Sequence, residues 1–414
     1  MLSNPSWVRG AKDPVARAEQ LRQAIPLVQW LMPYLLFIGM AVFAMAPLFV
    51  ARQYATASWA PALLNISLIA FCFVEQGRFS DPAWGLVAGT WVGGILQWVV
   101  MFVAMRKHTG VWRPNFRIFQ PGVGQVCLLL VPVILGQATG SVNKVINTLF
   151  ALSLEPNTVT ALAFANRLVQ LPLSVFGFAV AAVILPSMST SAARGKTDEI
   201  RDTLIHGFQQ SFFLIAPATL GLMVLGEPVA RLCFQYGKYN AANTEQTAVA
   251  IFYYASGLLA FAWIKVALQG FYAVKQTKTP VMVATACVLL NIVLNAMVVS
   301  SMGYRGLAFS TTVSYTANFL LLFILLCRRY GRLWNRELII ALLKTLLAAL
   351  VMAGGAYSLH GRIDLWVGHA HLPGRLVAVL ISTFTGAVLY AVVCKALRVQ
   401  EVDEFLSVLK RRRA

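Results

Sequence analysis

The chain has 414 residues, 58% of them apolar and only 12% charged, with a formal net charge of +19. So apolar a composition excludes an ordinary soluble domain and predicts an all-α polytopic membrane protein. The positive charge does not point to nucleic acid, because the basic residues cluster in short loops between apolar runs.

Eleven apolar segments follow in order, each bounded by proline, glycine or charge: 27–51, 59–76, 84–105, 122–151, 158–187, 204–226, 245–273, 280–300, 306–327, 338–358 and 376–397. Each is long enough to read as a transmembrane helix. The first 24 residues lack the apolar stretch of a signal peptide, so residues 1–26 are expected to form an extramembrane tail. An odd number of spans puts the termini on opposite sides. With the terminal KRRRA in the cytoplasm, the inside loops collect 20 of the 34 lysines and arginines; 10 lie outside, four of them in the N-terminal tail. That asymmetry orients the chain with its C-terminus inside. The tail is out of step, since Arg9, Lys12, Arg17 and Arg22 stand outside against a lone Arg52 in the first inside loop. Such a tail suits a preceding helix, and helices missing from the N-terminus are the expectation.

The fifteen acidic residues fall in loops or tails, except Glu75 at the last turn of its span. Four cations, Lys144, Arg167, Lys265 and Lys344, therefore lie inside spans without a carboxylate to neutralise them. Lys344, six residues into its span, reads as snorkelling to the headgroups. Lys144 and Lys265 either snorkel or line a cavity. Arg167 sits nine residues into 158–187, about 13 Å along the helix and near mid-depth. A cation there costs at least about 2.5–3.5 kcal/mol against lipid, so it is expected to face a wet interior. Pro172 follows and frees a backbone carbonyl.

Segment 122–151 carries Gln137, Ser141, Lys144 and Thr148 at spacings of 4, 3 and 4, with Gly140 beside them and Asn143 and Asn147 flanking. This is a polar stripe about 17 Å long on an apolar helix. Packing through small and polar residues is the alternative reading; the lysine favours a wet, anion-attracting surface. The six cysteines show no metal or redox spacing and read as small apolar side chains. A faint internal echo links FVARQ, Pro61 and LLN (63–65) with FYAVKQ, Pro280 and LLN (289–291), as two related helix lobes would.

MPYLL (32–36), WAPALLNISLI (59–69), INTLFA (146–151), ANRLVQLPLSVFGFAVAAVILPSMS (165–189), CFQYGKY (233–239) and GFYAVKQTKTPV (270–281) carry a family resemblance. From about Arg22 to Val402 the chain resembles the MurJ (MviN) family, bacterial flippases for the lipid-linked peptidoglycan precursor lipid II. These belong to the multidrug/oligosaccharidyl-lipid/polysaccharide exporter superfamily. The resemblance implies a 14-helix fold of two six-helix lobes and a terminal pair, of which the eleven spans match helices 4–14. It divides the chain into a first-lobe remnant of three helices (27–105), a cytoplasmic inter-lobe loop (106–121), a second lobe of six (122–327), a terminal helix pair (328–397) and a basic cytoplasmic tail (398–414). The absent helices carry arginines and an aspartate of the family's central cavity, and Asn166 stands where many members have aspartate.

The function implied is transfer of lipid II from the inner to the outer leaflet of the bacterial inner membrane, by alternating access, for cell wall biogenesis. Arg167, Lys144, Gln137, Ser141, Asn147, Asn166 and Lys265 are the expected cavity set for its pyrophosphate. The expected partners are the lipid-linked precursor, membrane lipids and cell-wall synthesis proteins, with no nucleic acid and no cofactor. The charge pattern agrees, because unpaired intramembrane cations suit a dianion. A truncated inactive relative and an exporter of another polyprenyl-linked saccharide are alternatives. A cation-coupled drug antiporter would need a buried acid beyond Glu75. A membrane enzyme would need convergent acids, and Asp198, Glu199 and Asp202 read instead as a solvated helix start.

Overall fold

A computed structural model describes residues 14–51, 53–74, 82–109, 140–154, 157–367 and 372–402. Among these residues every regular element is helical, and nine helices are long and apolar enough to cross a membrane, or ten counting one bent pair as a span. The remaining expected span, 122–151, is described only from residue 140. The chain divides into two compact units, Met1–Cys127 and Leu128–Ala414.

The first unit contains α1 (Pro14–Leu31), α2 (Tyr34–Val50), α3 (Tyr54–Val74) and α4 (Pro82–Thr109). α1 and α2 break at Met32–Pro33, yet Ala24–Phe49 is apolar throughout and counts as one span. α4 packs on all three others. Its approach to α3 depends on glycine: a Cβ at Gly93 would come within 2.8 Å of the Leu64 Cα. Small residues at such a crossing let backbones close up, which is how helices associate where lipid removes the usual hydrophobic drive. The Ser67 hydroxyl donates to the Gly89 carbonyl at 2.8 Å across the same seam.

The second unit runs from α5 (residues 140–152) to α6 (Thr158–Pro172), a π-turn at Leu173–Gly177, α7 (Phe178–Ala193), α8 (Thr197–Phe234), α9 (Ala241–Ser256) and α10 (Leu258–Tyr272). α11 (Lys278–Met302), α12 (Tyr304–Tyr330), α13 (Arg336–Val367) and α14 (Leu372–Ala396) complete it. Two of the expected uninterrupted spans are broken. In the first, Pro172 has no N–H for the Leu168 carbonyl, and the chain widens into the π-turn before α7 resumes. In the second, α9 and α10 meet at a 40° bend on Gly257. A Cβ there would lie 2.8 Å from the Thr312 Oγ1 and 3.2 Å from its Cα, so α12 seats directly on the bend. The Thr312 hydroxyl donates to the Tyr253 carbonyl at 2.6 Å.

α8, with 38 residues, is about 57 Å long and packs on α7, α9, α10, α13 and α14. Pro217 interrupts its ladder and frees the Phe213 carbonyl. The Tyr390 hydroxyl of α14 donates to that carbonyl at 2.7 Å, so the terminal pair is fastened to α8 where α8 lacks its own bond. Separate buried cores form where α7 meets α8, α10 and α12, where α6 meets α9 and α12, and where α13 and α14 meet α8.

Candidate functional site: a cationic cavity in the second unit

α5, α6, the α9–α10 bend, α11 and α12 enclose a cavity of about 580 Å³. α5 turns Asn143, Lys144, Asn147 and Thr148 into it, positions one and four apart that share a helical face. α6 contributes Asn166 and Gln170 by the same spacing, the Gln170 amide donating to the Asn166 Oδ1 at 3.2 Å. Lys265 enters from α10, with its Nζ 5.2 Å from the Phe261 ring centroid. Among the described residues neither aspartate nor glutamate lines the cavity, and the charged ones that do are two lysines.

Behind the cavity lies a chain of amides. The Asn295 Nδ2, fully buried, donates to the Asn147 Oδ1 at 2.5 Å and to the Asn291 Oδ1 at 3.2 Å, and its Oδ1 accepts from the Ser310 hydroxyl. This network ties α5, α11 and α12 together. Three cavity-lining amide atoms, the Asn143 Oδ1, the Asn291 Nδ2 and the Asn318 Oδ1, have no partner among the described residues. Buried polar groups are otherwise almost always bonded, so these point to water or a polar guest. Also among the described residues, no three His, Cys, Asp or Glu side chains gather as a metal-ligand set.

Of the residues expected from sequence, Lys144, Asn147, Asn166 and Lys265 line this cavity. Gln137 lies outside the described residues. Ser141 and Arg167 are exposed and outside the lining. Helical phase accounts for both: Arg167 stands one residue, or about 100°, round α6 from Asn166. The α5 lining is centred between the expected stripe and its asparagine flank. Asn291, Asn295, Ser310 and Asn318 escaped the sequence reading. The first two left a signal, two asparagines four apart in the apolar run CVLLNIVLNAMVV.

Residues 1–376 match the family model described as lipid II flippase MurJ. The chain belongs to the MurJ family. It is 32% identical over 317 residues to the probable lipid II flippase MurJ of Vibrio cholerae, an alignment covering 77% of this chain and 60% of the relative. It is 27% identical to the probable lipid II flippase MurJ of Haemophilus influenzae, over 87% of this chain and 71% of that one. The chain thus spans well short of the full length of the relatives it matches. A solved structure titled lipid II flippase MurJ, inward closed conformation, superposes with a TM-score of 0.73. The match covers 94% of this chain and 77% of that chain at 20% identity, so the MurJ fold is shared.

Proposed function

We propose that this chain carries lipid II from the inner to the outer leaflet of the cytoplasmic membrane, with its own C-terminus in the cytoplasm. The observation that supports this reading is a cavity whose described lining holds two lysines, a row of amides and no carboxylate, in a chain of the MurJ family. A pyrophosphate is an anion that needs donors. The Lys144 and Lys265 ammonium groups supply charge-assisted hydrogen bonds, strengthened by the low surrounding dielectric. The Asn166, Gln170 and Asn291 amides add neutral donors, and Arg167, flanking them on α6, adds a fork that can grip two oxygens at once. The cavity has room for the pyrophosphate and part of the saccharide; the lipid tail stays in the bilayer. Exposing the cavity to each side of the membrane in turn then moves the head group across, and no covalent bond is made or broken. Cell-wall synthesis proteins that consume the precursor at the outer leaflet are the proposed partners.

The test is repression of the chromosomal locus, with outer-leaflet lipid II measured through an externally added lipid II-cleaving enzyme. Exposure should fall and should recover with a plasmid copy. A Lys265→Ala copy at equal membrane level should restore about a tenth or less of the flux, the worth of one charge-assisted hydrogen bond. Undiminished exposure after the protein has disappeared would overturn the proposal.

A further inference from the structure

A second cavity in the same unit, of about 530 Å³, opens where α8 and α13 begin and α14 ends. It shares no lining residue with the first cavity. Its wall carries both signs of charge: Asp202, Glu337 and Glu401 against Lys344 and Arg398, with His206 alongside. These charges have not collapsed onto one another. Among the described residues no opposite charge stands within 4.0 Å of Lys344, Arg398, Glu337 or Glu401, and Asp202 is met only by its chain neighbour Arg201 at 3.4 Å.

The chain builds this cavity deliberately at the end of α14. Arg398 takes a left-handed backbone, φ 53°, which glycine normally supplies. The turn is closed by the Val399 N–H donating to the Cys394 carbonyl at 3.0 Å. Val399 and Val402 then bury among Phe212, Phe213 and Met352, which pins Arg398 and Glu401 at the cavity wall. Opposite them the Asn335 Oδ1 caps α13 by accepting the Leu338 N–H at 2.7 Å. Glu337 and Lys344, seven residues apart, share one face two turns long. Lys344 thus has a defined cavity, where snorkelling alone would leave its ammonium in open headgroup space.

Charged residues at the ends of three spans stand at the depth of lipid headgroups. A guest bearing both a phosphate and a primary amine answers both signs on the wall. Among the described residues the wall carries more acids than bases, which disfavours an anionic headgroup such as phosphatidylglycerol, and choline has no N–H to give the carboxylates. Exposed Ile340, Leu343 and Leu347 lead along α13 from the cavity into the span, an apolar path for an acyl chain. We propose that this cavity binds phosphatidylethanolamine, its phosphate on Lys344 and Arg398 and its ammonium on Asp202, Glu337 and Glu401.

The test follows thermal unfolding of the purified, delipidated chain in detergent as lipids of identical acyl chains are added. Phosphatidylethanolamine should raise the midpoint at about tenfold lower concentration than phosphatidylcholine or phosphatidylglycerol. Arg398→Gln and Glu337→Gln should each erase that preference. Should either variant fail to fold, the wild-type comparison still decides, since equal potency of the three lipids would overturn the proposal. Soluble glycerophosphoethanolamine is the remaining arm and should act only at much higher concentration. Potency equal to the lipid's would make the ligand a cytosolic phosphoamine and overturn the lipid assignment.

Discussion

Lys144 and Lys265 face a cavity with no carboxylate among its described lining residues, so an entering anion meets donors there. Arg167 has a different standing, beside the lining and not in it. If it serves the same anion, it does so by geometry that an ammonium cannot copy. Arg167→Ala at the chromosomal locus should abolish growth support, and Arg167→Lys should retain at most part of it, because lysine offers a point charge where arginine offers a fork. Normal growth of the alanine strain at matched membrane levels would remove Arg167 from the anion site. At this scale Lys144 and Lys265 drew notice because a cation in an apolar run demands a reason, whereas nothing in the sequence showed that Arg167 would stand one residue round the helix from the lining. It was less legible for Asn318 and Ser310, whose short polar side chains are common in ordinary helix packing and announce nothing until their neighbours are known.

Among elements, the fastening of α14 to α8 is the most exposed to test. Tyr390→Phe should leave the Phe213 carbonyl without its donor and lower thermal stability by roughly 0.6–1.7 kcal/mol, the range found for hydrogen bonds between membrane helices. Pro217→Ala returns an N–H to the helix ladder, so in that background the same Tyr390→Phe change should be nearly silent. A full effect in both backgrounds would show that the hydroxyl does not compensate for the proline. The ends of the spans were legible because proline, glycine and charge mark them. The bend at Gly257 was less legible: Ser256–Gly257 is a turn signal, but the apolar run continues on both sides of it and reads as one span. Its cause lies in α12, where Thr312 fills the space that a side chain at 257 would need.

For the molecule as a whole, the loop charges predict which ends of the helices meet the cytoplasm. In a background cleared of native cysteines, single cysteines at Ala193 and Arg332, both exposed, should resist impermeant thiol reagents in intact cells, and one at Gly361 should react. The reverse pattern would invert the topology. The MurJ fold was legible because helix number and family motifs survive sequence drift, and what stayed hidden was the phase between successive helices. The π-turn at Leu173–Gly177 shows what that phase is worth. Before it, Ala165, Leu168 and Val169 pack into one core, and after it Val180, Ile184 and Met188 pack into another. A π-turn amounts to one surplus residue taken up by a wider turn, so the residues beyond it stand about 100° from where an unbroken α-helix of the same sequence would put them. That one extra residue therefore decides which face of α7 carries Val180, Ile184 and Met188 to their core.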